Sequence, residues 1–143
     1  MALLRTGIAL DRSGGALPRM LTPFRFFAGG PMGSGRQYMS WVHRLDWLEM
    51  VRWVVATPEA SGPVNVTAPE PVTNAVFASG LGQAMGRPAL VPAPAFALRM
   101  LLGEMADPLI LRGQRVLPAR AQALGYRFRY PQLAQALRGI LGA

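Results

Sequence analysis

The sequence LLRTGIAL, residues 3–10, decides the fold. It is an apolar run with a single charged residue, Arg5, and it ends at the turn signal DRSGG, residues 11–15. A short apolar run bounded by turn residues is typical of a buried β-strand. Such a strand normally has neighbours on both edges and helices on both faces. We therefore expect an α/β protein in which residues 3–10 form an inner strand, although the chain offers few other strands to pair with it.

Short strands mixed with helices are predicted for the rest of the 143 residues. The predicted helices cover residues 16–27, 47–57, 74–85, a segment opening at Pro94, 118–124 and 131–141. The predicted strands cover residues 37–42, 64–66 and 126–130. Asp46 is the expected N-cap of the second helix, with Glu49 in the capping-box position, and Thr73 caps the third helix. This order of elements indicates the α/β class.

The composition excludes several kinds of site. The chain has no cysteine and one histidine, His43, which excludes disulfides, thiolate nucleophiles and a His-rich zinc site, so no metal site is predicted. The most apolar region, residues 88–111, contains four prolines and Arg99 and is too interrupted for a membrane span. The N-terminus lacks the pattern of a signal peptide. We expect a cytoplasmic protein with no membrane partner.

The net charge of +8 fits either nucleic-acid binding or a biased composition. All fifteen basic residues are arginine, and they are spread singly from Arg5 to Arg138. The segment YRFRY, residues 126–130, alternates aromatic and basic side chains, which suits either base stacking or a strand with one core face. The core-face interpretation is the commoner one, so we expect no nucleic-acid partner.

The glycine-rich stretch GGPMGSGRQ, residues 29–37, looks like a nucleotide-binding loop but lacks the defining residues. A dinucleotide fingerprint needs a third glycine after Gly33 and Gly35, and Tyr38 occupies that position. A P-loop needs a lysine, and the chain contains none. The lack of lysine also excludes a Tyr-x-x-x-Lys catalytic pair. The sequence therefore predicts no catalytic and no cofactor-binding residue in this chain.

A Ser-His-Asp triad could form only around His43, with Asp46 as its nearest acid. Both residues lie at a predicted strand-to-helix junction. There His43 can bond a backbone group while Asp46 caps the helix. We favour this structural role over a catalytic one.

Five segments carry a resemblance to a known family. They are LLRTGIALDRSGGALPRML, GGPMGSGRQYMSWVH followed by Asp46, SGPVNVTAPEPVTNAVFA, PAPAFALRMLLGEMA and GQRVLPARAQALGYRFRYPQLAQAL. In order and spacing they resemble the C-terminal half of the NAD(P)-dependent epimerase-like family of extended short-chain dehydrogenases. The most similar subgroup is the nucleoside-diphosphate-sugar-epimerase-like proteins, whose C-terminal piece is a domain of unknown function. In that family the N-terminal half carries the glycine-rich cofactor turn and the catalytic Tyr and Lys.

The resemblance implies a partial Rossmann-type sheet, made of its last strands, plus a mainly helical substrate-binding lobe. Residues 3–10 and 64–67 would be the last two strands of that sheet. Residues 1–143 would form a single C-terminal unit, with the strands and the substrate loop in 1–70 and the helical lobe in 71–143. NAD(P) is implied for a full-length relative. This chain alone is expected to bind no cofactor and to be inactive.

The stretch from Gly33 to Asp46 is similar to a pattern of extended family members, Gly-x-Gly-x-Gln followed by His-x-x-Asp. Met39 stands where sugar-nucleotide enzymes of the family carry a phosphate-binding arginine, and Leu45 replaces an acid. Arg36 is near enough to take the place of that arginine, because a guanidinium group binds phosphate in a bidentate way.

The resemblance also implies a substrate-binding group. Its predicted members are Arg5, Arg36, Gln37 and His43. The two arginines and the glutamine would face a small polar or anionic ligand at a pocket mouth, and the histidine would support the pocket wall. Trp41 and Trp47 are expected to be buried.

An inner strand without its neighbours leaves an apolar edge on which another chain can pair. We therefore expect either docking with a missing N-terminal half or a homodimer through that edge. The alternative to a substrate lobe is a non-enzymatic binding or assembly domain that pairs through the exposed strand edge.

Overall fold

A computed structural model describes residues 1–15, 17–27, 29–91, 100 and 115–141. In chain order the elements are β1 (Ala2–Thr6), β2 (Ile8–Leu10), α1 (Leu17–Arg25), β3 (Tyr38–Met39), β4 (Trp41–His43), α2 (Arg44–Ala56), β5 (Gly62–Val66), β6 (Val72–Thr73), α3 (Asn74–Met85), α4 (Ala119–Ala123) and α5 (Leu133–Leu141). This order confirms the α/β class. Among these helices none is long and apolar enough to cross a membrane.

The described strands pair two by two. β1 pairs with β5 and β2 pairs with β4, both in parallel, whereas β3 and β6 pair antiparallel. In register, Leu4 lies opposite Val64 and Ala9 lies opposite Val42. β1 and β5 overlap the two stretches, 3–10 and 64–67, that the resemblance assigns to the end of a Rossmann-type sheet.

Gly7 divides the predicted strand 3–10 between two sheets. Its N–H donates to the Val66 carbonyl (3.1 Å), and the N–H of Ile8 donates to the Ser40 carbonyl (2.8 Å). Because successive N–H groups of a strand point to opposite edges, β5 lies on one edge and β4 on the other. The sequence did not predict this division, since the apolar run continues on both sides of the glycine.

The chain that leaves β5 crosses over Gly7. Thr67 packs against Gly7, and the N–H of Ala68 donates to the Trp41 carbonyl (2.8 Å). A Cβ atom at Gly7 would overlap the Ser40 carbonyl oxygen and would lie 2.7 Å from Thr67 Cγ2. Glycine is therefore required here by the close approach of the Ser40 backbone and the Thr67 side chain.

Two groups of apolar side chains hold the elements together. The main core joins α1, α3 and α5 to β2, β3 and β4, and its buried members are Leu10, Leu17, Met20, Leu21, Phe24, Met39, Trp41, Ala68, Phe77, Ala78, Leu81, Leu133, Ala136 and Leu137. A second group packs α2 against β5 and α4 through Met50, Val66 and Ala121. Trp41 is buried as expected, whereas Trp47 is only partly buried.

β1 is exposed on both of its faces. Leu3 and Leu4 retain 57% and 40% of their accessible surface, and successive side chains of a strand point to opposite faces. Leu10, at the other end of the same stretch, is fully buried. The expectation of a buried strand is therefore right at its C-terminal end and wrong for β1, which among the described residues pairs with β5 alone.

Two local expectations are wrong. α2 begins at Arg44, three residues earlier than predicted, and its N-cap is His43 rather than Asp46. Residues 126–130 form an irregular segment instead of a strand. α1 lies within the predicted helix 16–27 and continues past Pro23 to Arg25, because burial of one apolar face outweighs the hydrogen bond that proline cannot donate.

The capping signals of α3 are confirmed. Thr73 Oγ1 accepts the N–H of Val76 (3.4 Å), and Gly86 ends the helix in the left-handed region at φ 66°. α4 and α5 also fall where helices were predicted. The helix expected from Pro94 lies outside the described residues.

We predict that Gly7→Ala lowers the free energy of unfolding by about 1–3 kcal/mol, the usual cost of overpacking a closed site. Urea unfolding followed by tryptophan fluorescence measures this effect. Gly14→Ala is the matched control, because a Cβ atom there meets nothing within 4 Å. Equal stability of the two variants would contradict the chain crossing at Gly7.

Candidate functional site

The glycine-rich loop is fixed to the first residue of α3. Asn74 is fully buried; its Oδ1 accepts the N–H of Met32 (2.6 Å) and its Nδ2 donates to Met39 Sδ (3.2 Å). Its own backbone N–H donates to the Gln37 carbonyl (2.8 Å). These hydrogen bonds fix the shape of the loop against α3, and the expectation that it is not a nucleotide cradle stays a prediction.

Gln37 stabilises this loop through two hydrogen bonds of its side chain. Its Nε2 donates to the Met32 carbonyl (2.8 Å), and its Oε1 accepts the hydroxyl of Ser34 (3.4 Å). The side chain is partly buried, so it fixes the shape of the turn that presents Arg36 to solvent. A binding role for Gln37 itself stays a prediction.

Arg36, Tyr38 and Arg115 form a basic-aromatic cluster beside the loop. The guanidinium carbon of Arg115 lies 5.9 Å from the centre of the Tyr38 ring, and Arg36 lies two residues before that tyrosine. All three side chains are exposed, and neither arginine forms an ion pair with a described residue. The cluster presents two guanidinium groups that no carboxylate of the described residues compensates, which is the chemistry that suits an anion.

Segment 115–118 is held in place by two hydrogen bonds to the sheets. The N–H of Val116 donates to Ser40 Oγ (2.9 Å), and the Leu117 carbonyl accepts from Asn65 Nδ2 (3.0 Å). Asn65 is in register with Arg5, which is exposed on β1. Because residues in register point to the same face, Arg5 lies on the face that carries this segment.

Arg115 is the candidate that the sequence did not reveal. It lies within a segment of the family resemblance, but no spacing rule relates it to Tyr38, which is 77 positions earlier. Only the fold brings the two together. Of the four predicted site residues, Arg36 is exposed two positions before Tyr38, Arg5 is exposed on β1, and Gln37 is partly buried behind the loop.

His43 has a structural position away from solvent. It is 6% exposed, and its Nδ1 accepts the N–H of Leu45 (3.0 Å), which caps α2. Its ring stacks on Tyr130, with centroids 4.0 Å apart and an angle of 10°. Burial lowers the pKa of His43 below its ordinary value, against the opposing charge of Asp46. Its predicted support of a pocket wall is not tested by these contacts.

Asp46 is a buried anchor rather than a helix cap. It is fully buried, and its Oδ1 accepts the hydroxyl of Tyr126 (3.0 Å) and the N–H of Arg129 (2.9 Å). Its Oδ2 accepts the N–H of Tyr130 (2.8 Å). Burial, followed by the charge of Asp46, raises the pKa of the Tyr126 phenol. We call Asp46, Tyr126, Arg129 and Tyr130 the Asp46 clamp, since they join α2 to residues 126–130.

The clamp argues against a catalytic triad at this position. His43 Nδ1 is occupied by a backbone N–H, and the carboxyl oxygens of Asp46 are occupied by three donors from residues 126–130. The structural role favoured from the sequence fits these contacts. In the part of the chain that the structure describes, no group of three or more His, Cys, Asp or Glu residues could hold a metal ion.

Comparison with known proteins identifies the chain's relatives. Residues 93–140 match the domain of unknown function DUF1731. The chloroplastic SDR39U1 homolog of the epimerase family from Arabidopsis thaliana is 44% identical over 141 residues, covering 99% of this chain and 40% of that protein. Epimerase family protein YfhF of Bacillus subtilis is 44% identical over 137 residues, covering 96% of this chain and 45% of that protein.

Solved structures that superpose on this chain include proteins of the same family. Human epimerase family protein SDR39U1 (isoform 2) with NADPH superposes with a TM-score of 0.91 at 38% identity, covering 99% of this chain and 48% of that one. A nucleoside-diphosphate sugar epimerase from Corynebacterium glutamicum gives 0.76 at 32% identity, covering 99% and 26%. A UDP-glucose 4-epimerase from Thermus thermophilus with NAD, at 18% identity and 0.66, shares the fold.

The chain belongs to the epimerase family of extended short-chain dehydrogenase-like proteins and corresponds to their C-terminal part. It spans less than half the length of the curated relatives named here, 40% of one and 45% of the other. Its fold is a partial Rossmann-type α/β fold, as the resemblance implied.

We predict that Asp46→Asn lowers the free energy of unfolding by about 3 kcal/mol. An amide cannot accept from all three donors, and a charge-assisted hydrogen bond lost in a buried site costs about 1.5–3 kcal/mol. Chemical denaturation measures the loss. Glu49→Gln is the control, because Glu49 meets Arg129 (3.1 Å) on the surface, where an ion pair contributes about 0–1 kcal/mol. Similar losses in both variants would show that the clamp is not the dominant contact.

We predict that His43 makes stability fall as the pH decreases below about 7. Its folded pKa lies below the ordinary value of 6.5, so the unfolded chain takes up the proton first and acid favours unfolding. His43→Asn keeps a side chain that can cap the helix but does not titrate. Thermal unfolding between pH 7.5 and 5.5 should therefore depend less on pH in this variant. Because His43 is the chain's single histidine, an unchanged pH profile would contradict the inference.

Proposed function

We propose that this chain is the substrate-binding C-terminal part of an NAD(P)-dependent epimerase or related oxidoreductase, and that it acts with a cofactor-binding half that docks along β1. The observation that carries the proposal is the open edge of β1. The cofactor-binding half can precede this sequence in one polypeptide or be a separate chain, and the contact surface is the same in both cases.

The open edge has the properties of an inner strand that lacks a neighbour. Gly7 donates towards β5, so the N–H groups of Leu4 and Thr6, by alternation, point to the opposite edge. The side chains of Leu3 and Leu4 leave both faces of β1 apolar and exposed. Parallel sheets are normally covered on both faces by helices. A parallel strand with its crossover helices would satisfy the edge and both faces together.

The residues of this chain support the assignment of the cofactor site and the catalytic pair to the other half. Its glycine-rich loop is braced by Asn74 and Gln37, and its sequence contains no G-x-G-x-x-G and no lysine for a Tyr-x-x-x-Lys pair. The human relative with NADPH is about twice as long as the part that this chain covers. The cofactor and the catalytic pair would therefore come from the other half, and this chain would be inactive alone.

The ligand that fits the candidate site is small and anionic. Met39 cannot provide a cation, since its thioether is uncharged, and the side chain is buried with its sulfur accepting from Asn74. Arg36 and Arg115 are exposed and form no ion pair with a described residue, Arg115 lies beside the Tyr38 ring, and Arg5 is exposed on β1. In this proposal the arginines bind the anionic group, Gln37 keeps Arg36 in position, and His43 supports the wall through its stack on Tyr130.

Self-association through β1 is the second candidate. The exposed apolar side chains of Leu3 and Leu4 favour it, because an unpaired apolar strand edge is a template for a second copy. A homodimer and a docked cofactor-binding half would use the same edge, so they exclude each other. In this case the chain would be a non-enzymatic assembly domain.

We predict that the chain alone binds NADPH, NADP, NADH and NAD more weakly than about 10 μM, which corresponds to about −7 kcal/mol. Isothermal titration measures this directly. Adding the part of the Bacillus subtilis relative that this chain does not match should produce a complex that binds the cofactor. Tighter binding by the chain alone would contradict the proposal.

The surface is tested in the same assay with Leu3→Lys, which should prevent the complex because it places a charge on β1. Val55→Lys is the control. Val55 is 84% exposed on α2, so this substitution also replaces an exposed apolar side chain by lysine, but away from β1. Light scattering separates the two candidates. A homodimer that Leu3→Lys converts to a monomer, with no complex formed by the added half, would favour the assembly domain.

A further inference from the structure

An exposed aromatic surface lies at the ends of α1 and α3, on elements other than β1. We call it the aromatic patch, and it consists of Phe26, Phe27, Arg87, Leu90 and Val91. Phe26 and Leu90 retain 76% and 83% of their accessible surface, and Phe27 and Val91 retain 58% and 48%. Contiguous exposed apolar side chains of this size are typical of interaction sites.

The two segments of the patch are held side by side. The N–H of Val91 donates to the Gly29 carbonyl (3.1 Å), and the guanidinium carbon of Arg87 lies 4.5 Å from the centre of the Phe27 ring. The N–H of Arg87 also donates to the Gly82 carbonyl at the end of α3 (2.9 Å). The rings are therefore presented from a fixed backbone.

Phe27 holds a backbone conformation that bulky residues avoid. Its φ is +60°, and it is the one non-glycine residue with positive φ in the described chain. Its N–H donates to the Phe24 carbonyl (3.1 Å), which closes the last turn of α1. Glycine would adopt this conformation without strain. A strained backbone that leaves an aromatic ring in solvent points to a function for the ring rather than to packing.

The described charged residues that flank the patch in the sequence are all arginine. No Asp or Glu occurs between Asp11 and Asp46 or between Glu70 and Glu104, and the whole patch lies within these two stretches. Arg25 and Arg87 are exposed beside the rings. A second copy of the chain would bring the same positive surface into contact with itself. Charge complementarity therefore favours an acidic partner.

A groove next to the patch indicates that the partner has side chains that project into it. Its volume is about 370 Å³, and its lining residues are Ala75, Ser79, Gly82, Gln83, Gly86, Arg87, Ala89 and Leu90. Small residues leave room along α3, while Arg87 joins the groove to the Phe27 ring. A concave surface accepts side chains that project from a polypeptide, whereas a lipid bilayer presents a broad and nearly flat surface.

We propose that the aromatic patch binds an acidic peptide segment of a protein partner, with apolar side chains in the groove and carboxylates on Arg25 and Arg87. The apolar contacts would come from the two phenylalanines and Leu90. The acidic contacts would orient the segment, so the affinity should fall as salt is added. This inference is independent of the proposed function, because it uses neither β1 nor the Arg36 cluster.

Selection from a random 12-residue peptide library displayed on phage tests the proposal with the full chain as bait. We expect selected peptides that combine Asp or Glu with Leu or aromatic residues. Their synthetic forms should bind at least tenfold more weakly to Phe27→Gly and to Arg87→Glu. Phe27→Gly is expected to melt no lower than the wild type, because it relieves the positive φ, so its loss of binding cannot come from unfolding.

Arg127→Glu is the matched control for the change of charge, since Arg127 is exposed outside the patch. It should keep binding within about twofold, as should Leu3→Lys. Selected peptides without acidic residues, or equal binding by both patch variants, would overturn the proposal. Vesicles of phosphatidylcholine with phosphatidylserine test whether the patch binds a membrane surface instead. Binding to these vesicles that depends on Phe27, without an acidic peptide consensus, would assign the patch to a membrane surface and overturn the peptide proposal.

Discussion

The close crossing of three backbone segments at Gly7 is the constraint on which the rest of the structure depends. It lets one stretch of chain pair with β5 on one edge and with β4 on the other, while Thr67 passes over it. β4 leads directly into α2, and the loop before β3 is fixed to α3 through Asn74. The positions of His43, Arg36 and Tyr38 therefore follow from a glycine that contributes no side chain.

The chain also depends on a buried carboxylate for the position of its C-terminal segments. Asp46 binds residues 126–130, and these residues pass between α4 and α5. The α5 helix then closes the main core against α3. α3 and α5 are thus packed into the main core, whereas β1 pairs with β5 alone among the described residues. The proposed docking of a cofactor-binding half depends on this open edge.

Sequence patterns predicted the features that are local and missed those that are not. The prediction for Thr73 was correct because an N-cap is decided by residues within one helical turn. Asp46 matched a capping box equally well, but its donors lie 80 to 84 residues away and out of reach of any local rule. Arg115 was missed for the same reason, since only tertiary structure places it beside Tyr38. The apolar pattern predicted strands at 3–10 and 64–66, and the family resemblance assigned them to a Rossmann-type sheet, which periodicity alone could not do.

Hydrogen exchange of the backbone amides in residues 2–10 tests the central claim, the open edge of β1, most directly. The measurement is made on the isolated chain at a concentration where light scattering shows a monomer. The amides of Leu4 and Thr6 should exchange nearly as fast as in an unfolded chain, while those of Gly7 and Ile8 should be protected by Val66 and Ser40. Strong protection of Leu4 and Thr6 in the monomer would show that the chain covers its own edge, and this would contradict the account.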